Sequence, residues 1–262
     1  MNLNLEGKTA LVCGSTQGIG RAVAVELAQL GATVTLMARN EEKLKKVVGQ
    51  LATSHGQRHQ YLVADFAQPE AVKAAIDAYL VDNPDIHILI NNTGGPAGGP
   101  LIEAQPEAFI KAFTAHLINN QQLVQAVVPA MKRTGYGRIV NIISTSVKQP
   151  IVGLGVSNTI RGAVAQWAKT LSLELGKFGI TVNNVLPGST KTTRLDALME
   201  KGAKETGKTV EAYAAERAAE IPIGRFMEPE EVAAAVAFLC TPAAAAISGI
   251  NVPVDGGKTG GL

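Results

Sequence analysis

Cysteine is scarce in this chain, with only Cys13 and Cys240 among 262 residues. Cys13 falls in an apolar, β-rich run, so two buried thiols in a reducing compartment are expected rather than a structural disulfide. Charge of either sign is nearly matched, and a net charge of +2 leaves no electrostatic footprint for nucleic acid or a membrane surface. No basic run with interleaved aromatics is present either. No apolar stretch reaches the ~18 residues that would span a bilayer. The first eight residues, MNLNLEGK, lack the basic and apolar regions of a secretion signal. No metal site is expected. These absences leave a soluble, cytoplasmic protein. What is present, 46% hydrophobic and 18% charged residues, is the composition of a folded domain, and the length suits one large α/β unit.

Short apolar runs rich in β-formers occur at 9–13, 33–37, 60–63, 86–90, 138–142, 181–186 and 251–254. Helical patterns alternate with them, at 19–30, 41–53, 70–81, 106–132, 156–178 and 229–239. Near-continuous apolar strands predict a parallel sheet buried on both faces. Right-handed crossovers then give a doubly wound sheet that takes ligands at the carboxyl ends of its strands. The polar stretch 189–225 breaks the alternation. It reads either as a surface insertion or as a mobile lid over the ligand crevice.

Between the first strand and the first helix stands Gly14-Ser15-Thr16-Gln17-Gly18-Ile19-Gly20. Glycines at this junction let backbone N–H groups approach a pyrophosphate, which the helix N-terminus also favours. The spacing is G-x-x-x-G-x-G, not the commoner G-x-G-x-x-G. A tight structural turn would use the same glycines. A second small-residue segment, Thr93-Gly-Gly-Pro-Ala-Gly-Gly-Pro100, leaves only backbone after the fourth strand. It suits either close packing of a ligand or a tight loop.

Four motifs occur together and in order: Gly14-x-x-x-Gly18-Ile-Gly20, Asn91-Asn-Thr-Gly94, Pro187-Gly188 and Val254-Asp-Gly-Gly257. With them the chain resembles, over essentially its whole length, the short-chain dehydrogenase/reductase family, in its group similar to 3-oxoacyl-acyl-carrier-protein reductases. The resemblance implies an α/β single-domain Rossmann fold, a seven-stranded parallel sheet flanked by helices. It also implies a nicotinamide cofactor and a homotetramer built through two long helices and the C-terminal strand. Metals play no part in it.

The end of the second strand reads Leu36-Met-Ala-Arg39-Asn40, with no acid to bind the ribose hydroxyls of NAD(H). A guanidinium there pairs with a 2′-phosphate, which favours NADP(H) over NAD(H); otherwise Arg39 is a solvated loop cation. By the resemblance, Asp65, with Phe66 beside it, meets the adenine. Asn91, Thr93 and Gly94 flank the adenosine ribose, and Pro187, Gly188 and Thr192 reach the nicotinamide end.

The catalytic positions depart from the family's Tyr-x-x-x-Lys. Ser144 matches the serine that orients a carbonyl, but the tyrosine position, about 13 residues later, holds Ser157. Arg161 stands where the lysine would, on the same helix face, and His116 aligns with the family's helix asparagine, close to Asn119 and Asn120. A serine hydroxyl is a poor acid beside a phenol, and a guanidinium gives up no proton near neutrality. His116, with a reference pKa of about 6.5, is therefore the expected proton donor, directly or through water. Arg161 is expected to hold charge near the cofactor and bond its ribose. The substrate is expected to be a small carbonyl or alcohol, free or carrier-bound. A protein that binds NADP(H) as a sensor or scaffold, without turnover, is the alternative that the same departures allow. Tyr213 in the 189–225 segment is a further donor candidate, or simply a packing residue.

Overall fold

The computed structural model describes residues 1–261. Seven strands, β1 (Thr9–Cys13), β2 (Thr33–Ala38), β3 (Gln60–Val63), β4 (Ile88–Asn91), β5 (Gly137–Ile142), β6 (Ile180–Pro187) and β7 (Asn251–Val254), form one sheet in the order β3-β2-β1-β4-β5-β6-β7. Every neighbouring pair is parallel. The order reverses between β1 and β4, and the crevice outside the strand ends at that point is where such sheets bind ligands.

Burial on both faces explains the unbroken apolar strands. Ala10 and Val12 face one layer, with Ile88 and Ile90, beneath α1 (Gly18–Gln29) and α9 (Pro229–Cys240). Leu11, Cys13, Leu89, Ile139 and Val182 face the other, beneath α3 (Pro69–Asp82), α5 (Asn119–Thr134) and α6 (Gly155–Leu175). The period-two alternation of side chains thus feeds two cores from one strand. Both cysteines are free and buried. Among the described residues no helix is long and apolar enough to cross a membrane.

Three expected segments differ in the structure. The second helix, α2 (Glu41–Val48), stops at Gly49 instead of running to residue 53. The single helix expected over 106–132 is broken: α4 (Pro106–Phe113) passes through a π-helical turn, Thr114–Ile118, into α5. Such wide turns carry an extra residue and collect at functional sites. The polar segment 189–225 contains two helices, α7 (Thr193–Thr206) and α8 (Val210–Ala219). Thr192 and Thr209 cap them, their side chains accepting from Leu195 N and Ala212 N.

Across the second half of the sheet runs a ladder of asparagines. Asn91, Asn141, Asn184 and Asn251 occupy paired positions on β4, β5, β6 and β7. Asn91 Nδ2 donates to Asn141 Oδ1 at 2.8 Å, Asn141 Nδ2 to Asn184 Oδ1 at 2.9 Å, and Asn184 Nδ2 to Asn251 Oδ1 at 2.8 Å. The ladder lies at the carboxyl end of β4, directly under the crevice.

Candidate active site

The glycine-rich turn is a packing device as much as an open cradle. Gly14 and Gly18 have φ of 58° and 53°, which side-chain-bearing residues avoid. A Cβ on Gly14 would lie 2.7 Å from Asn92 Nδ2, and one on Gly20 would collide with the Gly14 carbonyl. Asn92 Nδ2 fills this space, donating to Cys13 O at 3.3 Å and Gly14 O at 3.2 Å. Gly18 makes room for Thr192, whose Cγ2 would be 3.1 Å from a Cβ there, and Gln17 Nε2 donates to Thr193 Oγ1 at 3.1 Å. The start of α7 therefore rests on the turn. Two features of the turn remain unsatisfied. Ser15 Oγ is fully buried without a protein partner, and the first turn of α1 has neither a side-chain cap nor an acidic residue. Both suit an anion placed at the helix N-terminus.

A cavity of about 760 Å³ opens beside the turn, over the ends of β4, β5 and β6. Of the residues expected at the site, it gathers Ile19, Thr93, Gly94, Ser144, Ser157, Arg161, Pro187, Gly188 and Thr192. The C-terminal motif closes one side. Gly188 N donates to Val254 O at 2.9 Å, and a Cβ on Gly188 would stand 2.7 Å from Asp255 Cβ, so Pro187-Gly188 and Val254-Asp-Gly-Gly257 meet there. Arg39 and Asp65 lie past the ends of β2 and β3, outside the cavity. Arg39 is exposed, while Asp65 Oδ1 accepts from Ala67 N at 3.0 Å.

Ser144 follows β5, and its Oγ accepts from Ser146 N at 3.1 Å, leaving its O–H free to donate. Ser157 sits in the first turn of α6, buried, where the helix has no capping side chain and no acid. One turn later Arg161 is 8% exposed, with Nη1 donating to Ile142 O at 3.1 Å and Nε finding no acceptor. Burial first, and then the charge of Arg194, bring its pKa down to about 10. It remains a cation at neutral pH.

Three of the expected site residues lie away from the cavity. His116 is not a cavity residue: it is 3% exposed, buried within the π-helical turn. Burial, then the positive charges of Arg161 and Arg194, push its pKa down to about 2, against the effect of a hydrogen bond with the Gly94 backbone. A neutral, enclosed imidazole is not the proton donor expected from sequence. Asn91 spends its side-chain amide on Asn141, within the sheet; its neighbour Asn92 buttresses the glycine turn. Phe66 packs in the core, its carbonyl taken by Asn119 Nδ2 at 2.7 Å.

Arg194, in the 189–225 segment, is a cavity residue that no sequence motif marks. It lines the cavity and donates from Nη1 to Gly95 O at 2.9 Å and from Nη2 to Pro96 O at 3.1 Å. The glycines of the Thr93–Pro100 loop serve these contacts. Gly95 lies under the Arg194 guanidinium, while Gly99 N bonds Gly153 O at 2.7 Å. Tyr213 packs on Gly202 of α7 and also faces the cavity.

Buried neutral His116 has a consequence for stability. Its native pKa lies below the ordinary value, so below about pH 6.5 the unfolded chain binds a proton that the native state refuses. Stability is then full above that pH and falls as pH drops, by at most about 1.4 kcal/mol per pH unit. His116→Gln, which stays neutral, is expected to flatten the loss between pH 6.5 and 5 in urea titrations by about 1–2 kcal/mol. Part of the slope should persist, since burial lowers the pKa of His87 as well. Parallel curves for the two proteins would contradict a buried neutral His116.

Comparison with known proteins agrees with the fold and the motifs. The family described as enoyl-(acyl carrier protein) reductase matches residues 14–259. A tropinone reductase homolog of Arabidopsis thaliana is 35% identical over 98% of this chain and 94% of its own. The 3-oxoacyl-[acyl-carrier-protein] reductase of Vibrio cholerae is 31% identical over 97% of this chain and 98% of its own. The crystal structure of L-sorbose reductase from Gluconobacter frateurii, complexed with NADPH and L-sorbose, superposes with a TM-score of 0.93 at 31% identity and covers 100% of both chains. The chain belongs to the short-chain dehydrogenase/reductase family of oxidoreductases.

Proposed function

We propose that this protein is an NADP(H)-dependent oxidoreductase that interconverts a carbonyl and an alcohol, with Ser144, Ser157 and Arg161 as its catalytic groups. The observation that carries this reading is their convergence: two hydroxyls and an unpaired guanidinium border one cavity over the ends of β4, β5 and β6. The residues fit the cofactor. Ser15 and the uncapped start of α1 would receive its pyrophosphate, and Arg39 its 2′-phosphate; Arg39 forms no ion pair among the described residues. The NADPH bound in L-sorbose reductase supports the same assignment. When bound, the cofactor supplies or accepts the hydride.

The protein's own groups govern the oxygen. As hydride reaches the carbonyl carbon, negative charge grows on the carbonyl oxygen. Ser144 and Ser157 donate hydrogen bonds to it, while Arg161 and the N-terminus of α6 supply positive potential. The proton that completes the alcohol comes from water in the cavity, since Arg161 holds its own. His116 acts as a positioning residue, fixing the Gly94 backbone. Residues 189–225 form the lid, with the α7 start seated on the glycine turn. A cytoplasmic homotetramer built through α5, α6 and the C-terminal strand belongs to the same reading, and exposed Leu173 on α6 supports it.

The test is titration with NADPH and NADH, followed by turnover assays on β-keto thioesters and simple ketones. Tight NADPH binding with turnover is expected; tight binding without any turnover would favour a sensor or scaffold instead. Arg39→Asp should weaken NADPH binding by about tenfold or more and favour NADH, because a carboxylate repels the 2′-phosphate and binds the free ribose hydroxyl. Unchanged preference would remove Arg39 from the site.

A further inference from the structure

The charge inventory of the cavity is unbalanced. Five cations line it: Arg161, Arg194, Lys201, Arg217 and Lys258. Three have carboxylate partners, Lys201 with Glu205 at 3.7 Å, and Arg217 and Lys258 sharing Glu220 at 2.6 and 2.8 Å. Arg161 and Arg194 have no carboxylate partner among the described residues and bond only to backbone carbonyls. A carbonyl satisfies an N–H group but leaves the net charge in place, and an uncompensated cation removed from water is costly. Desolvation lowers the pKa of both guanidiniums, and Arg194 lowers that of Arg161 further. Arg161 is nine-tenths buried and still has an N–H, on Nε, with nothing to bond.

Arg194 is also held ready. A Cβ on Gly95 would stand 2.9 Å from its Cζ, so the loop is bare where the guanidinium lies across it. Its two carbonyl bonds use part of a five-donor fork and fix its plane, which leaves donors for a planar, bidentate acceptor.

We propose that the substrate is an oxo acid, or the corresponding hydroxy acid, whose carboxylate is held by Arg194 while its carbonyl lies against Ser144 and Ser157. This specifies the substrate class of the site proposed above and rests on that reading. The cofactor phosphates have their own partners in the glycine turn, the start of α1 and Arg39, so the Arg161–Arg194 pair calls for a further anion. An anion here offsets two like charges at once and places the reacting carbon at a fixed distance from its anchor.

The experiment is calorimetric titration of the NADPH-saturated protein with short 2-oxo and 4-oxo acids, each paired with its methyl ester. Acids are expected to bind at least about tenfold tighter than esters. Arg194→Gln should erase that difference and leave the NADPH dissociation constant within about twofold, whereas Arg194→Lys, which keeps the charge but loses the bidentate fork, should retain only part of it. Equal binding of acids and esters, or no binding of either, overturns the proposal. So does Arg194→Gln weakening NADPH, which would make Arg194 a phosphate ligand. Failure of the unmodified protein to bind NADPH is a separate result, and it overturns the underlying reading.

Discussion

Replacing Arg161 by Met is expected to cut kcat by about 10²–10³-fold and leave the fold as stable as before, or more so. The activity loss follows from the loss of positive charge where oxyanion character develops. Removing one such group typically costs 10²–10³-fold in kcat, about 2.7–4 kcal/mol. Stability should move the other way. Arg161 is a buried cation without an ion-pair partner, and its only hydrogen bond in the structure goes to Ile142 O. A linear apolar side chain of similar reach gives up that bond, worth about 1 kcal/mol, and escapes a larger desolvation cost. Steady-state assays and urea denaturation on one preparation measure both halves. Arg161→Lys keeps the charge and should retain more activity than Arg161→Met. An Arg161→Met enzyme with undiminished kcat would exclude the guanidinium from the chemistry. A strongly destabilised one would show that Arg161 serves the fold.

The largest loss of stability is expected at Asn141. It is fully buried and central in the ladder, accepting from Asn91 and donating to Asn184. Ala at 141 strands a donor on one side and an acceptor on the other. Each unpaired group costs about 1–3 kcal/mol, and the vacated volume adds to this. A total of about 3–5 kcal/mol is expected, or roughly 2–4 °C of Tm per kcal/mol for a domain near this size. Asn91 Oδ1 already lacks a donor, so the substitution leaves both polar atoms of the Asn91 side chain unpaired. Because Ser144 follows β5 by two residues, part of the disturbance should also reach kcat. A change below about 1 kcal/mol would mean that water substitutes for the missing amide.

The sheet was legible because its physics is local. Central strands buried on both faces carry long apolar runs, as in β1, whose run matches the observed element residue for residue. The runs at the edge strands β3 and β7 match as well, although their residues are only partly buried or exposed. Glycines at the β1–α1 junction were legible for a similar reason, since left-handed φ angles restrict the choice of residue. Their detailed use was not. The partners Asn92 and Thr192 are distant in sequence, and nothing near Gly14 announces them. The asparagine ladder was hidden likewise: each member looks like an ordinary polar residue in an apolar strand until the register aligns all four. The place of His116 was hidden because its alignment with the family's helix asparagine gives no sign of the π turn, which buries the side chain away from the cavity. Arg194 carries no signal in sequence, since lysines, arginines and glutamates are interspersed across 189–225. In space those glutamates pair with Lys201, Lys208, Arg217 and Lys258, and Arg194 is left without one.

The two buried cysteines have a practical consequence. Burial pushes the thiols of Cys13 and Cys240 up to about 12, so neither forms the reactive thiolate near neutral pH. The native protein is thus silent toward thiol-directed dyes and spin labels. A single cysteine introduced on the outer surface of α7 would be the sole labelling position. From there a fluorophore could report, in real time and on an otherwise unaltered molecule, whether the segment above the cavity shifts when a nucleotide arrives.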